Sequence, residues 1–153
     1  MSSLGDILIE CGCKLSVAES CTGGLLGSRI TDVPGASRYF LGGVVAYSNE
    51  AKMSILGVSR ETLERYGAVS EQCAREMAVG VAKLFGSEVS ISTTGIAGPG
   101  GGTDEKPVGL VYIGIFHRGD VEVHRRIFSG TRVEIKEKIV KEAISLLLNA
   151  LTK

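Results

Sequence analysis

Apolar residues in the first half of the chain alternate between helical and strand-like spacing. Residues 3–11 carry them at helical spacing and predict a short helix. The alternation in residues 15–19 predicts a strand that leads into a second helix. The mostly apolar residues 39–47 predict another strand. One short helix is expected to begin at residues 48–50, and Ser59 is expected to cap a further one.

The second half of the chain contains longer patterns. Residues 70–85 place apolar side chains at i, i+3 and i+4 and predict an amphipathic helix. Residues 89–94 predict a strand, and the continuous apolar run 108–116 is typical of a strand covered on both faces. Residues 121–128 follow a tight turn and complete an antiparallel hairpin. The chain closes with a predicted helix over residues 132–151.

The order of these elements indicates the fold class. Helices and strands alternate early, and a hairpin comes late. This order predicts an α/β fold, a three-layer α/β/α sandwich with a mixed central sheet. No internal repeat or linker interrupts the pattern, so a single domain over residues 1–153 is expected.

Composition narrows the class of function. Lys plus Arg and Asp plus Glu both number 17, so the formal net charge is zero. Binding of nucleic acid by bulk electrostatics needs a basic excess, and this class is therefore disfavoured. The N-terminal residues lack a basic stretch followed by a long apolar one, and the apolar run 108–116 is too short to span a bilayer. A cytoplasmic protein is expected.

Cysteine and histidine spacing gives no metal-binding pattern. The four cysteines form no CxxC pair, and the two histidines, His117 and His124, lie seven apart in the predicted hairpin. Neither a metal nor an organic cofactor is expected, and the cysteines are interpreted as reduced, mostly buried thiols.

The segment AESCTGG at residues 18–24 is the first candidate for chemistry. It places Ser20 at a strand-to-helix turn, where ligands bind in α/β folds. The glycines that follow let backbone N–H groups approach an oxyanion or a phosphate. A helix cap supplied by Ser20 or Thr22 is the alternative. Glu19 has two candidate roles, a hydrogen bond to substrate or Lys52 and a salt bridge at the strand end.

The segment YSNEAK at residues 47–52 is the second candidate. With Asn49 as the N-cap, Lys52 falls in the first helical turn, where the helix dipole favours a neutral amine. A lysine that is neutral near pH 7 can take a proton from a serine, and Tyr47 can assist. A solvated lysine and a half-buried tyrosine are the alternative. Neither histidine is placed near Ser20 by any motif, so Lys52 is the better candidate base.

The third candidate is the loop TTGIAGPGGG at residues 93–102, followed by Lys106. Its composition resembles a phosphate-binding loop, but it lacks the Gly-Lys-Ser/Thr of a Walker A motif and leads into no periodic helix. A flexible turn is the alternative. Lys106 is a candidate phosphate contact, or it pairs with Asp104 or Glu105.

These segments together resemble the C-terminal domain of the CinA competence/damage-inducible proteins. The resemblance rests on residues 18–24, 47–52, 67–70, 94–99 and 105–109, and it covers nearly the whole chain. Stand-alone versions of this domain are nicotinamide-nucleotide amidases. The resemblance implies deamidation of nicotinamide mononucleotide (NMN) to nicotinate mononucleotide and ammonia, without a cofactor. The N-terminal domain that precedes this one in many bacteria is missing, so a stand-alone enzyme is expected.

The resemblance also implies roles for individual residues. Ser20 is the implied nucleophile, with Lys52 and Tyr47 completing the catalytic set. The residues predicted to bind substrate are Thr22, Gly23, Gly24, Thr94, Gly95, Ala97, Gly98 and Lys106. Either glycine segment is a candidate oxyanion hole, and the other would hold ribose or phosphate. The expected partners are a pyridine nucleotide and further copies of the chain in a homodimer or larger homo-oligomer, without nucleic acid or membrane.

Two other classes of function compete with a hydrolase. A non-catalytic nucleotide-binding module of the same family would have no reason to keep Ser20, Tyr47 and Lys52 together. A DNA-uptake accessory protein is disfavoured by the zero net charge and the absence of a basic run.

Overall fold

The computed structural model describes residues 3–153 and consists of a five-stranded sheet between two layers of helices. The elements, in chain order, are α1 (Leu4–Cys11), β1 (Leu15–Glu19), α2 (Leu25–Thr31), a 3₁₀ turn (Ala36–Arg38), β2 (Phe40–Val45), α3 (Asn49–Leu56), α4 (Arg60–Arg65), α5 (Glu71–Phe85), β3 (Val89–Gly95), β4 (Leu110–His117), β5 (Asp120–Ile127) and α6 (Arg132–Leu151). The strand order is β2-β1-β3-β4-β5. β1 pairs in parallel with β2 and β3, whereas β4 pairs antiparallel with β3 and β5 pairs antiparallel with β4. The sheet is therefore mixed, and the predicted fold class is confirmed.

Each face of the sheet packs against its own helices. A larger apolar core lies on the face covered by α1, α2 and α6 and includes Leu15, Ile113 and Ile139. A smaller core lies under α3 and α5 and includes Met77 and Val81. All five of these side chains are 0% exposed, so both cores exclude water.

Small side chains let α5 approach the sheet closely. The hydroxyls of Ser90 and Ser92 on β3 both donate to α5 carbonyls, at 2.6 Å, to Ala78 and Ala74 respectively. A Cβ on Gly114 of β4 would lie 2.8 Å from the Ala74 carbonyl oxygen. Serine and glycine therefore occupy strand positions that a larger residue could not fill without moving the helix.

Some predicted boundaries differ from the structure. β2 is shorter than the predicted 39–47, since Ala46 leaves the ladder after its N–H donates to the Glu19 carbonyl at 2.8 Å. β4 begins at Leu110 rather than at residue 108, because Gly109 has a φ of +91° that an extended strand does not adopt. Among residues 3–153, no helix is both long enough and apolar enough to cross a membrane.

Candidate active site

The candidate segments meet at one edge of the sheet. β2, β1 and β3 are parallel neighbours, and the register aligns their last residues. Ser20, Tyr47 and the glycine-rich loop therefore leave the sheet side by side. Together with Lys52 they line a cavity of about 290 Å³. Ligands of open α/β sheets bind at this edge, outside the carboxyl ends of the strands.

Ser20 is held by its backbone, whereas its hydroxyl has no protein partner. Its N–H donates to the Thr93 carbonyl at 3.0 Å, and its carbonyl accepts from Gly23 at 3.1 Å. Within residues 3–153 the Ser20 hydroxyl forms no hydrogen bond, although the residue is only 7% exposed. The hydroxyl is therefore positioned by the turn and available to a ligand in the cavity.

Lys52 reaches the same cavity from α3. The Ser48 hydroxyl accepts the Ala51 N–H at 3.1 Å, so Ser48 and not Asn49 caps the helix. Lys52 is consequently the fourth helical residue, one position later than predicted, and the helix dipole acts on it less. Its side chain is 2% exposed and its Nζ donates to the Tyr47 carbonyl at 3.1 Å. Burial replaces the dipole as the main influence on this amine.

Burial lowers the pKa of Lys52 from its ordinary 10.5. The thiolates of Cys73 and Cys21 would raise that pKa, but burial raises the pKa of Cys73 to about 11 and that of Cys21 to about 12. Both thiols are therefore protonated near neutral pH and provide no negative charge. No carboxylate within residues 3–153 forms a salt bridge with Lys52. The arrangement favours the neutral, proton-accepting amine.

Arg132 completes the cavity and was missed by the sequence analysis. It is the first residue of α6, 85 positions from Tyr47. Its guanidinium donates to the Tyr47 hydroxyl at 3.0 Å and to the Gly98 carbonyl at 2.7 Å. A cation in the first turn of a helix opposes the dipole. A cation in the first helical turn was the feature that pointed to Lys52, and Arg132 at the start of the predicted helix 132–151 has the same feature.

The loop after β3 forms another wall. The predicted residues Thr94, Gly95, Ala97 and Gly98 all line the cavity. A Cβ on Gly98 would lie 2.4 Å from Val108 Cγ1, and its φ of +77° favours glycine. Within residues 3–153 the backbone N–H groups of Ala97 and Gly98 donate to no protein acceptor. They are therefore available to an anion.

The backbone of the segment that follows Ser20 is largely bonded to Glu19. The Glu19 carboxylate accepts the backbone N–H groups of Gly24, Leu26 and Gly27 at 3.2, 2.8 and 3.0 Å. It also accepts the Thr22 hydroxyl at 2.6 Å. These donors are the free N–H groups of the α2 N-terminus, so Glu19 caps this helix.

Three residues that were predicted to bind substrate belong to this capped segment. Thr22, Gly23 and Gly24 do not line the cavity. The Glu19 oxygens contact neither Lys52 nor any other cation within residues 3–153, so the hydrogen bond to Lys52 and the salt bridge considered for Glu19 are not formed. Within the turn that follows Ser20, the N–H groups of Cys21 and Thr22 donate to no acceptor in residues 3–153.

Lys106 lies away from Ser20. Its Nζ donates to the Tyr66 carbonyl at 2.6 Å and lines a second cavity. It forms no ion pair with Asp104 or Glu105. Sequence spacing could not predict this contact, because Tyr66 is 40 positions away.

Known proteins similar to this chain share both its sequence and its fold. The family model for the CinA C-terminal domain matches residues 1–151. A competence-damage inducible protein of Moorella thermoacetica is 55% identical over 150 residues, which are 98% of this chain and 36% of that protein. One from Clostridium kluyveri is 52% identical over 141 residues, 92% of this chain and 34% of that protein. The chain thus spans about a third of the length of these relatives.

Solved structures extend the similarity to the backbone. A CinA superfamily protein from Klebsiella pneumoniae superposes with a TM-score of 0.94 at 37% identity, covering 97% of this chain and 92% of that one. The competence/damage inducible protein CihA of Agrobacterium tumefaciens superposes at 0.91 with 42% identity, covering 95% and 89%. The chain therefore belongs to the CinA C-terminal domain family.

Proposed function

We propose that this chain hydrolyses the carboxamide of NMN to nicotinate mononucleotide and ammonia. The observation that carries the proposal is the cavity shared by a serine hydroxyl without a protein partner and a buried lysine whose pKa is lowered. A neutral amine that can take the proton of a serine hydroxyl activates the serine without histidine. The resemblance of the five motifs to nicotinamide-nucleotide amidases supports the choice of substrate.

The first half of the reaction forms an ester on Ser20. The Ser20 oxygen attacks the amide carbon while the Lys52 amine takes the hydroxyl proton. The carbonyl electron pair moves to oxygen, and the unpaired N–H group of Cys21, a residue that lines the cavity, is the candidate donor to that charge. The carbon–nitrogen bond then breaks, and Lys52 returns the proton to the departing ammonia.

The second half releases the acid. Water attacks the ester carbon while Lys52 accepts a proton of that water, and the bond between the carbon and the Ser20 oxygen then breaks. The departing Ser20 oxygen takes the proton from Lys52, which regenerates the hydroxyl and frees nicotinate mononucleotide. The Tyr47 hydroxyl accepts a hydrogen bond from Arg132, so its own proton can be donated to Ser20 or to the substrate. Tyr47 therefore assists and is not the base.

The glycine-rich loop and Arg132 suit the phosphate of the substrate. Ala97 and Gly98, whose N–H groups donate to no acceptor within residues 3–153, line the cavity together with Arg132. Backbone N–H groups and a guanidinium are the common ligands of phosphate oxygens. If the glycine-rich loop and Arg132 bind the phosphate, the turn after Ser20 is the segment that stabilises the oxyanion.

Release of ammonia from NMN tests the proposal. Ser20→Ala should abolish release, while Ser54→Ala, an exposed serine on α3, should match the parent. Lys52→Met should lower the rate about 10²- to 10⁴-fold because it removes the general base. Tyr47→Phe should lose less. Parallel assays with nicotinamide and NAD define the substrate range. If the parent chain binds NMN but releases no ammonia, it is a nucleotide-binding module.

A further inference from the structure

A second cavity of about 420 Å³ lies next to the first. It is bounded by the turn before α5, the start of α5, and the α5-facing side of β4 and β5. Val69 lines both cavities. The volume is within the range of small-molecule sites, which span about 300–1,000 Å³.

Two tyrosine rings line this second cavity. Tyr66 and Tyr112 are half of the four tyrosines in the chain, which has no tryptophan. Tyr66 is 40% exposed at the mouth of the cavity. Tyr112 is half-buried in β4 and faces Arg125 across the β4–β5 ladder. Tyrosine rings that line a cavity can stack on planar ring systems.

The free charges of the cavity are positive. The only acid in its lining, Glu71, is bonded to Arg75 at 3.1 Å. Lys106 donates one N–H to the Tyr66 carbonyl and keeps two others. The Arg125 guanidinium donates to no acceptor within residues 3–153. Two cations beside two rings fit a ligand that joins an aromatic base to a phosphate.

We propose that this cavity binds a 5′-nucleotide, with the base against Tyr66 and Tyr112 and the phosphate on Arg125 and Lys106. Two sources can supply this chemistry. One is a free mononucleotide. The other is the second half of a dinucleotide whose nicotinamide half occupies the Ser20 cavity, and this source rests on the proposed function.

Equilibrium binding of AMP to the intact chain tests the proposal, with adenosine and ribose 5-phosphate as probes that each lack one half of the ligand. AMP should bind saturably and more tightly than either fragment. Arg125→Glu should weaken AMP binding at least tenfold, and Tyr112→Leu, which keeps an apolar side chain in β4, should weaken it several-fold. Lys141→Glu makes the same charge change on exposed α6 and should leave binding unchanged.

Two further measurements separate the sources, using Ser20→Ala to prevent turnover. AMP binding that persists in the presence of saturating NMN supports a free mononucleotide. Binding of NAD that exceeds that of both NMN and AMP, and that loses this advantage in Arg125→Glu, supports a dinucleotide. The proposal is overturned if AMP does not bind saturably, or if Arg125→Glu and Lys141→Glu bind it equally. None of these readouts requires ammonia release, so a failure of the amidase proposal would be seen separately.

Discussion

Glu19 connects the folding of α2 to the position of the candidate nucleophile. Its carboxylate is 2% exposed and accepts three backbone N–H groups and one hydroxyl, with no cation among its partners. The charge is stabilised instead by the positive end of the helix. Because Ser20 is the next residue, any change in this cap moves the turn that carries the hydroxyl.

Glu19→Gln should therefore weaken both stability and activity. An amide offers one acceptor oxygen where the carboxylate offers two, so at least one of the buried N–H groups loses its partner. Such a loss costs about 1–3 kcal/mol. Urea denaturation should show this decrease in the free energy of unfolding, and the turnover of NMN should fall. Glu10→Gln, an exposed position on α1, is the control. Equal stability of the two variants would contradict the capping role.

The lowered pKa of Lys52 predicts how activity depends on pH. A general base works in its neutral form, so kcat/KM for ammonia release should rise with pH through the lowered pKa and reach a plateau below 10.5. The residual rate of Lys52→Met should lack this rise. A parent profile whose rising limb is centred at 10.5 or above would contradict an amine made neutral by burial.

The lowered pKa of Lys52 also predicts that the stability of the folded chain rises with pH. Between the lowered pKa and 10.5 the unfolded chain holds a proton on Lys52 that the folded chain releases, so stability rises with pH. Cys21 and Cys73 act oppositely above pH 9, since their raised pKa values keep protons on the folded chain. Lys52→Met should therefore flatten the increase in unfolding free energy between the lowered pKa of Lys52 and pH 10.5, as measured by urea denaturation at a series of pH values.

At the scale of elements, the glycine-rich loop allows a matched comparison. Gly98 has a φ of +77°, and a Cβ there would lie 2.4 Å from Val108, whereas a Cβ on Gly100 would meet nothing within 4 Å. Gly98→Ala should destabilise the chain by about 1–3 kcal/mol, as overpacking does. It should also raise the KM for NMN, because the Gly98 carbonyl holds Arg132. Gly100→Ala should change both quantities little. Similar effects of the two substitutions would contradict a specific packing requirement at Gly98.

The elements that periodicity predicted well are those with one buried stripe. In α5 the predicted apolar positions Ala74, Met77, Ala78 and Val81 are fully buried, because helical spacing alone determines which side chains share a face. Strand ends were less predictable. They depend on single backbone groups, such as the Ala46 N–H, that periodicity does not report.

The site was predictable to the extent that it follows from strand order. Ser20, Tyr47 and the loop after β3 all follow parallel strands, and the sheet brings strand ends together. The contacts of Arg132 and Lys106 involve partners 34 to 85 positions away, which only the packed fold defines. The capping of α2 by Glu19 was missed because only substrate, Lys52 and a salt-bridge partner were considered for this carboxylate, and not the backbone N–H groups of the next helix.

At the scale of the whole molecule, the central sheet connects two apolar cores. β1 is buried along its full length, and it contributes Leu15 and Val17 to the larger core and Ala18 to the smaller one. If the helices on one face of β1 unfolded, the backbone and side chains of this fully buried strand would be exposed to water on that face. The two helical layers are therefore expected to unfold together.

Core substitutions on opposite faces test this coupling. Ile139 on α6 and Met77 on α5 are both 0% exposed, and truncating either to Ala should cost about 2–5 kcal/mol. Calorimetry of each variant should show a single transition at a lower temperature, with equal calorimetric and van't Hoff enthalpies. Leu84→Ala, at a 54% exposed position, should leave the transition near that of the parent. Two separate transitions, each lowered by only one of the core variants, would mean that the faces unfold independently. The Ser20 cavity, which α3 borders on one side and α6 on the other, would then open without global unfolding.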